Sequence, residues 1–226
     1  QTCALPISIK MSIRKINGRI YTEATKFKIK GFDIDLASEW EVYNFSELIE
    51  KKFGINPITE IYSKTNARVT ESDLKEICES AGIAYEPAEE NITRTIDNLW
   101  KVLRKEIAGP GFLVGVPVSM EPLAKRSREN PNVVERFQVI LAGSEMGKGF
   151  SELNDPVDQR SRFEQQQKLR DAGDEEAQMA DMEYVEAMEY GMPPAFGFGV
   201  SERLFSFLLD KPVREAQIFP LMKPRE

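Results

Sequence analysis

The sequence contains no histidine. That absence removes Ser-His-Asp and Cys-His nucleophilic catalysis, HExxH zinc sites and imidazole general bases together. Any chemistry must use carboxylates, lysine, arginine or a bound metal. Cysteine is almost as scarce. Cys3 and Cys78 can build neither a disulfide framework nor a four-ligand zinc site, which points to a reducing, intracellular setting. Long hydrophobic runs are missing too: GFLVGVPV (111–118) is far too short to span a bilayer. The opening QTCALPIS has neither the charged region nor the long apolar region of a signal peptide. A cytoplasmic protein with no membrane partner is therefore expected. Finally, there is no excess of positive charge. A net charge of −7 argues against an overall electrostatic grip on nucleic acid, while allowing a local basic face.

What is present suits a folded, soluble chain. Its 226 residues allow one large domain or two small ones, and 41% apolar with 30% charged residues is ordinary composition. Residues 1–10 are read as a non-native start, because QTCALPI is what a common sequencing-adapter string encodes on translation. Asn17-Gly18 between β-prone runs predicts a hairpin over 13–21. KFKIKGFDIDL (26–36) alternates as a half-buried strand does, and the Lys/Arg-rich stretch 10–30 reads as a solvated face, with a nucleic-acid contact as the minority reading. A short helix is expected at 44–54, capped by Asn44 or Ser46. A small helical insertion at about 55–90 follows, with a helix at 71–82. Residues 91–109 form an amphipathic helix capped by Asn91, with Ile92, Ile96, Leu99, Val102, Leu103 and Ile107 on one stripe.

Strands are expected at 111–118 and 135–143. Asp155-Pro156 opens a third helix that Gly173 ends. Met179, Met182, Val185 and Met188 predict a fourth helix with a core-facing stripe, not a metal box. SERLFSFLLD (201–210) reads as a helix buried on most sides, and EAQIFPLM (215–222) as a last strand.

The stretch GSEMGKGFSELNDP (143–156) tests for a phosphate loop and fails. Gly143 and Gly147 enclose three residues instead of four, and Gly149 stands where the magnesium-binding hydroxyl belongs. A hairpin fits better: strand 136–141, a turn at Ala142-Gly143-Ser144, and a return strand 145–152. Alternation then places Met146, Lys148, Phe150 and Glu152 on one face. Glu145 joins them only if a bulge near Gly147 or Gly149 re-phases the strand.

EPLAKRSRENP, ERFQVILAGSEMGKGFSELNDPVDQRSRFEQQ, AGDEEAQM, EAMEYGMPP and SERLFSFLLDKPVREAQIFPLMKP occur in that order. Together they resemble the C-terminal half of the lysyl-tRNA synthetase catalytic domain, in the aspartyl/asparaginyl/lysyl subgroup of class II aminoacyl-tRNA synthetases. The resemblance is dense over 110–226. It implies an α+β fold, an antiparallel sheet flanked by helices, across a partial catalytic domain at 11–226. It implies ATP-dependent activation of lysine, transfer to tRNA, magnesium as cofactor and a homodimer. Carried onto this sequence, Glu145 matches a magnesium-binding carboxylate at ATP, with Gln138 at the other metal position. Phe150 matches the aromatic under the substrate's methylenes, and Glu152 the carboxylate for its ε-ammonium. Arg203 matches the arginine on the ATP phosphates, with Lys148 beside them.

The match has departures. Gln138 stands where a glutamate is usual, and an amide is a poorer ligand for a hard cation. Lys148 replaces an asparagine, and Gly199 sits four residues before Arg203, out of step with the usual glycines. The family's first two motifs and its anticodon-binding barrel are absent, so the chain as given is expected not to activate lysine alone. A paralogue that lysylates a protein, and a non-catalytic module retaining the fold, are the alternative readings.

Overall fold

The computed structural model describes residues 26–62, 69–85, 92–174, 177–209 and 211–217. The expected 13–21 hairpin, the Asn91 cap and residues 218–222 lie outside them. Strand β1 (Lys26–Ile29) turns back into β2 (Phe32–Asp35), so 26–36 is a hairpin and not the single strand that its alternation predicts. The turn residues Lys30 and Gly31 both have positive φ, 50° and 84°. That backbone twist matches antiparallel strands, and alternation alone does not reveal the reversal.

The main sheet runs β3 (Glu41–Asn44), β4 (Gly111–Val114), β5 (Arg136–Leu141), β6 (Ser144–Ser151), β7 (Phe196–Val200). β3 pairs parallel with β4, and every other pair is antiparallel. Among the described residues, four helices lie in the crossover between β3 and β4: α1 (Phe45–Phe53), α2 (Pro57–Tyr62), α3 (Glu71–Ser80) and α4 (Ile92–Leu103). Asn44 starts α1 by accepting the Ser46 and Glu47 amides. Thr70 and Asp73 form a reciprocal capping box on α3.

Alternation along the strands divides the core in two. Phe112, Phe137, Val139 and Leu141 turn toward the β1–β2 hairpin and Trp40. Leu113 and Ile140 turn the other way, under Phe45 and Ile49 of α1 and Ile96, Leu99 and Trp100 of α4. The α4 stripe holds at Ile92, Ile96, Leu99 and Leu103, but Val102 joins neither core cluster, and the helix ends at Leu103 with one 3-10 turn (Arg104–Glu106) following. Ile107 therefore reaches the same cluster from outside the helix.

The second half adds α5 (Pro156–Asp171), α6 (Met182–Glu189), α7 (Arg203–Leu209) and α8 (Val213–Ala216). Asp155 caps α5 with Pro156 at its first position, as the sequence predicts. Four expectations need correction here. The methionine stripe is only half core: Val185 and Met188 are buried, but α6 begins at Met182, leaving Met179 outside the helix and exposed. Helix α7 is not buried on most sides; it buries Leu204 and exposes Phe205 and Leu209. Val213–Ala216 is a helical turn where the start of a last strand was expected. The strand expected over 111–118 is also shorter, ending at Val114.

One backbone crossing yields a stability prediction. Gly109 has φ +71°, and a Cβ there would lie 2.4 Å from the carbonyl oxygen of Ile140. The next residues along the crossing are pinned, since the Ala142 amide donates to Ala108 O at 2.6 Å and the Gly143 amide to Ile107 O at 2.8 Å. Gly109→Ala should cost about 2–4 kcal/mol, combining left-handed backbone strain with an overpacking clash. Urea denaturation would show this as a lower midpoint, and an unchanged midpoint would refute the crowding.

Candidate active site

The β5–β6 hairpin sets the geometry of the site. Its two-residue turn, Ala142-Gly143, has φ of 47° and 68°, the pair of positive values that matches strand twist. Val139 pairs with Gly147, but Ile140 pairs with Glu145, so Met146 is an extra residue in β6. A bulge here was the condition for Glu145 to join the face of Lys148 and Phe150, and it sits beside Gly147. Its consequence corrects one expectation. Met146 does not share a face with Lys148; it packs into the hairpin-side core with Phe137 and Val139. Glu145 instead joins Lys148, and cross-strand pairing brings Gln138 directly opposite Lys148.

These three side chains line a cavity of about 470 Å³ between the sheet and α4. Asp97 and Trp100 of α4, Glu121, and buried Arg136 complete its polar wall. Trp100 Nε1 donates to Glu145 Oε1 at 3.0 Å, and Arg104 Nε lies 3.9 Å from the same oxygen. Arg136 donates through Nη2 to the Gln138 amide oxygen. Its Nε lies 3.2 Å from Glu121 Oε1, an ion pair without hydrogen-bond alignment. Burial pulls the Arg136 guanidinium below its ordinary pKa, and the carboxylates of Glu121, Glu145 and Asp97 oppose that pull. Lys148 Nζ lies 3.3 Å from both Glu121 oxygens and 5.9 Å from the centre of the Phe150 ring.

A second cavity of about 380 Å³ adjoins the first. Phe150 lines it, together with the Arg94–Asp174 ion pair. Asp97, Met120, Glu121 and Lys148 line both, so the Lys148–Glu121 pair stands at the partition.

Two of the candidate residues stand apart. Glu152 continues the strand beyond Phe150, and its amide donates to Ala195 O at 3.0 Å. Its carboxylate lies against Gly197, where a Cβ would come within 2.7 Å of Oε1. Burial raises its pKa. It lines neither cavity. Arg203 opens α7 and is exposed. It also lines neither cavity, although Gly199, Val200 and Ser201 just before it line the first. Its charge reaches Lys30 on the hairpin: burial, then Arg104, then Arg203 hold that ammonium below its ordinary pKa.

Sequence reasoning missed Asp97, Trp100, Glu121 and Arg136. Asp97 and Trp100 are three apart on α4 and hence neighbours on its surface, a signal that was available beside the apolar stripe. Glu121 gave none, because it follows an irregular 3-10 turn.

The donor set does not fit a magnesium ion held by the protein alone. Magnesium prefers near-octahedral oxygen ligands. Here Glu145 supplies one carboxylate, already bonded to Trp100, and the Gln138 oxygen is taken by Arg136. Among the described residues no group of three or more potential metal ligands occurs. Nor, among them, is any helix long and apolar enough to cross a membrane.

The chain is similar over most of its length to curated lysine–tRNA ligases. It is 39% identical to that of Thermosipho africanus (strain TCF52B) over 202 residues, 88% of this chain and 38% of the relative. The Thermotoga maritima protein is 39% identical over 203 residues, covering 89% and 38%. The Moorella thermoacetica protein is 38% identical over 200 residues, covering 87% and 39%. The chain thus spans less than two fifths of the length of these relatives. The family model for tRNA synthetases class II (D, K and N) matches residues 8–223. With an α+β fold, a mostly antiparallel five-stranded sheet between helices, and a polar cavity on that sheet, the chain belongs to the class II tRNA synthetases of the D, K and N group.

Proposed function

We propose that this chain serves ATP-dependent activation of lysine and its ligation to tRNA. The observation that carries the reading is the bulged strand β6, which turns Glu145, Lys148 and Phe150 toward two adjoining cavities in a chain 39% identical to lysine–tRNA ligases. Phe150 offers an apolar surface to the methylenes of lysine. Glu152 supplies the carboxylate that its ε-ammonium requires, since an unpaired ammonium in a partly buried site is costly. Lys148 and Arg203 serve the ATP phosphates, with Glu145 at the same end of the site. Arginine suits this role because its planar fork makes paired, charge-assisted bonds to phosphate.

The chemistry needs no histidine. The lysine carboxylate oxygen attacks the α-phosphorus in line, the bond to the bridging oxygen breaks, and pyrophosphate leaves. A tRNA hydroxyl then attacks the activated carbonyl and releases AMP. The protein contributes alignment and cationic stabilisation of the charge that develops. ATP, lysine and tRNA are the partners of this reading, within a cytoplasmic homodimer.

The test is a graft. Residues 8–223 replace the matching segment of the Thermotoga maritima relative, and amino-acid-dependent ATP–pyrophosphate exchange is measured. Exchange driven by lysine and not by aspartate or asparagine is expected. Exchange driven by another amino acid, or by none in a folded graft, would overturn the reading.

A further inference from the structure

Asp97, Glu121, Gln138 and Glu145 face the larger cavity, and each already has a cationic partner. Asp97 pairs with Lys101 at 2.8 Å and Glu121 with Arg136 at 3.2 Å. Glu145 lies 3.9 Å from Arg104 and accepts from the Trp100 indole at 3.0 Å. The Gln138 oxygen accepts from Arg136. A hard divalent ion would have to displace a protein donor from every ligand it took. Among the described residues that line this cavity, Lys148 is the cation left without a carboxylate of its own. Its ammonium lies 3.3 Å from Glu121, which Arg136 already serves. Cross-strand pairing sets Lys148 directly opposite Gln138. We propose that Lys148 is a tethered cation standing in for a protein-held divalent ion beside the nucleotide phosphates, so that no metal but the nucleotide's own is needed there. The inference rests on the ATP-dependent ligase reading and deepens it at one site.

Charge supports the exchange. Gln138→Glu adds a negative charge, and Lys148→Asn removes a positive one. Glutamate and asparagine are the residues usual at these two positions in the family. Together the two changes shift the cavity by the charge of one divalent ion. A carboxylate at position 138 would also keep a second oxygen free while Arg136 holds the first, which an amide cannot do. The Lys148 side chain is 43% exposed and has three donors, so it can meet phosphate oxygens at the cavity wall. Arg136, 8% exposed, stays behind on Glu121, which remains paired when Lys148 turns to the phosphates. An ammonium on a stem is present at any magnesium concentration, so nucleotide binding should depend weakly on free divalent ion.

The complete site is tested in the graft, where the Thermotoga maritima relative supplies the segments outside residues 8–223. Manganese is titrated in the presence of α,β-methylene-ATP, and its free fraction is read by electron paramagnetic resonance. The graft should bind one manganese ion per nucleotide, the one the nucleotide carries. The graft with Gln138→Glu and Lys148→Asn together should bind one more. In EDTA, Lys148→Met should weaken binding of the metal-free nucleotide about tenfold, the usual scale for one charge-assisted hydrogen bond. Methionine keeps much of the stem and loses the charge, and circular dichroism checks the fold of each protein. Equal manganese counts in the graft and its double variant overturn the inference. Metal-free binding that is unchanged by Lys148→Met overturns it too. In either case lysine-driven exchange by the graft leaves the ligase reading standing. A folded graft that binds no nucleotide, with or without metal, sinks both.

Discussion

Asp158→Ala is expected to destabilise the fold by about 3–5 kcal/mol, the usual cost of removing one partner from a buried charge pair. Asp158 holds two arginines from different parts of the chain. Arg126 donates to it at 2.9 and 3.1 Å, and Arg162, one turn further along α5, at 2.6 and 3.0 Å. The Arg162 side chain is only 5% exposed and also donates to Ala124 O at 2.6 Å. Without Asp158 its charge stays buried with carbonyl partners alone. The same cluster makes stability depend on acid. Burial raises the Asp158 pKa, but the hydrogen bonds from Arg162 and Arg126, then their charges, outweigh it and bring the value down to about 2 from 3.8. A folded-state pKa below the unfolded one gives stability that is complete above pH about 4 and lost as pH falls toward 2. Solvent screening at this partly exposed carboxylate keeps the acid-labile contribution below about 2 kcal/mol. Urea titrations at pH 7 and pH 3 would measure both effects. A variant as stable as wild type at pH 7, or with the same acid sensitivity, would count against this account of the cluster.

Glu152→Gln is expected to weaken lysine binding about a hundredfold. The carboxylate is half-buried, so its loss belongs at the lower end of the range for a broken charge pair, about 3 kcal/mol. Glutamine keeps the shape against Gly197 and removes only the charge. Norleucine, which lacks the ε-ammonium, should bind wild type and variant alike. Burial raises the Glu152 pKa. Lysine affinity should therefore fall with acidification at a higher pH than an ordinary glutamate would give. Dialysis across a pH series measures this directly, and equal lysine affinity in both proteins at neutral pH would place the ε-ammonium elsewhere.

The sequence by itself determined most of the local structure. Asn44, Asp155 and Gly54 mark helix ends through cap chemistry that depends only on neighbouring residues. The α4 stripe was legible because a 3.6-residue period survives any tertiary arrangement. The family was legible too, because several motifs fall in order within one chain. A bulge in β6 could be stated in advance as the condition for Glu145 to join Lys148, Phe150 and Glu152, since it lies an odd number of residues from each and strand sides alternate.

Tertiary structure decided the rest, because it brings together residues with no local signal. The 26–36 segment alternates like a strand, yet Lys30-Gly31 folds it back so that Ile29 and Ile34 both cover the sheet. The spacing of Met179 and Met182 fits a buried stripe, but Asp181 caps α6 and leaves both exposed. Above all, no spacing rule links Glu121, Arg136 and Lys148. They meet because an irregular segment, a central strand and a bulged strand border the same cavity. In that setting burial prevents either arginine or carboxylate from standing alone, and Lys148 gains in Glu121 a partner that its place in the sequence does not reveal.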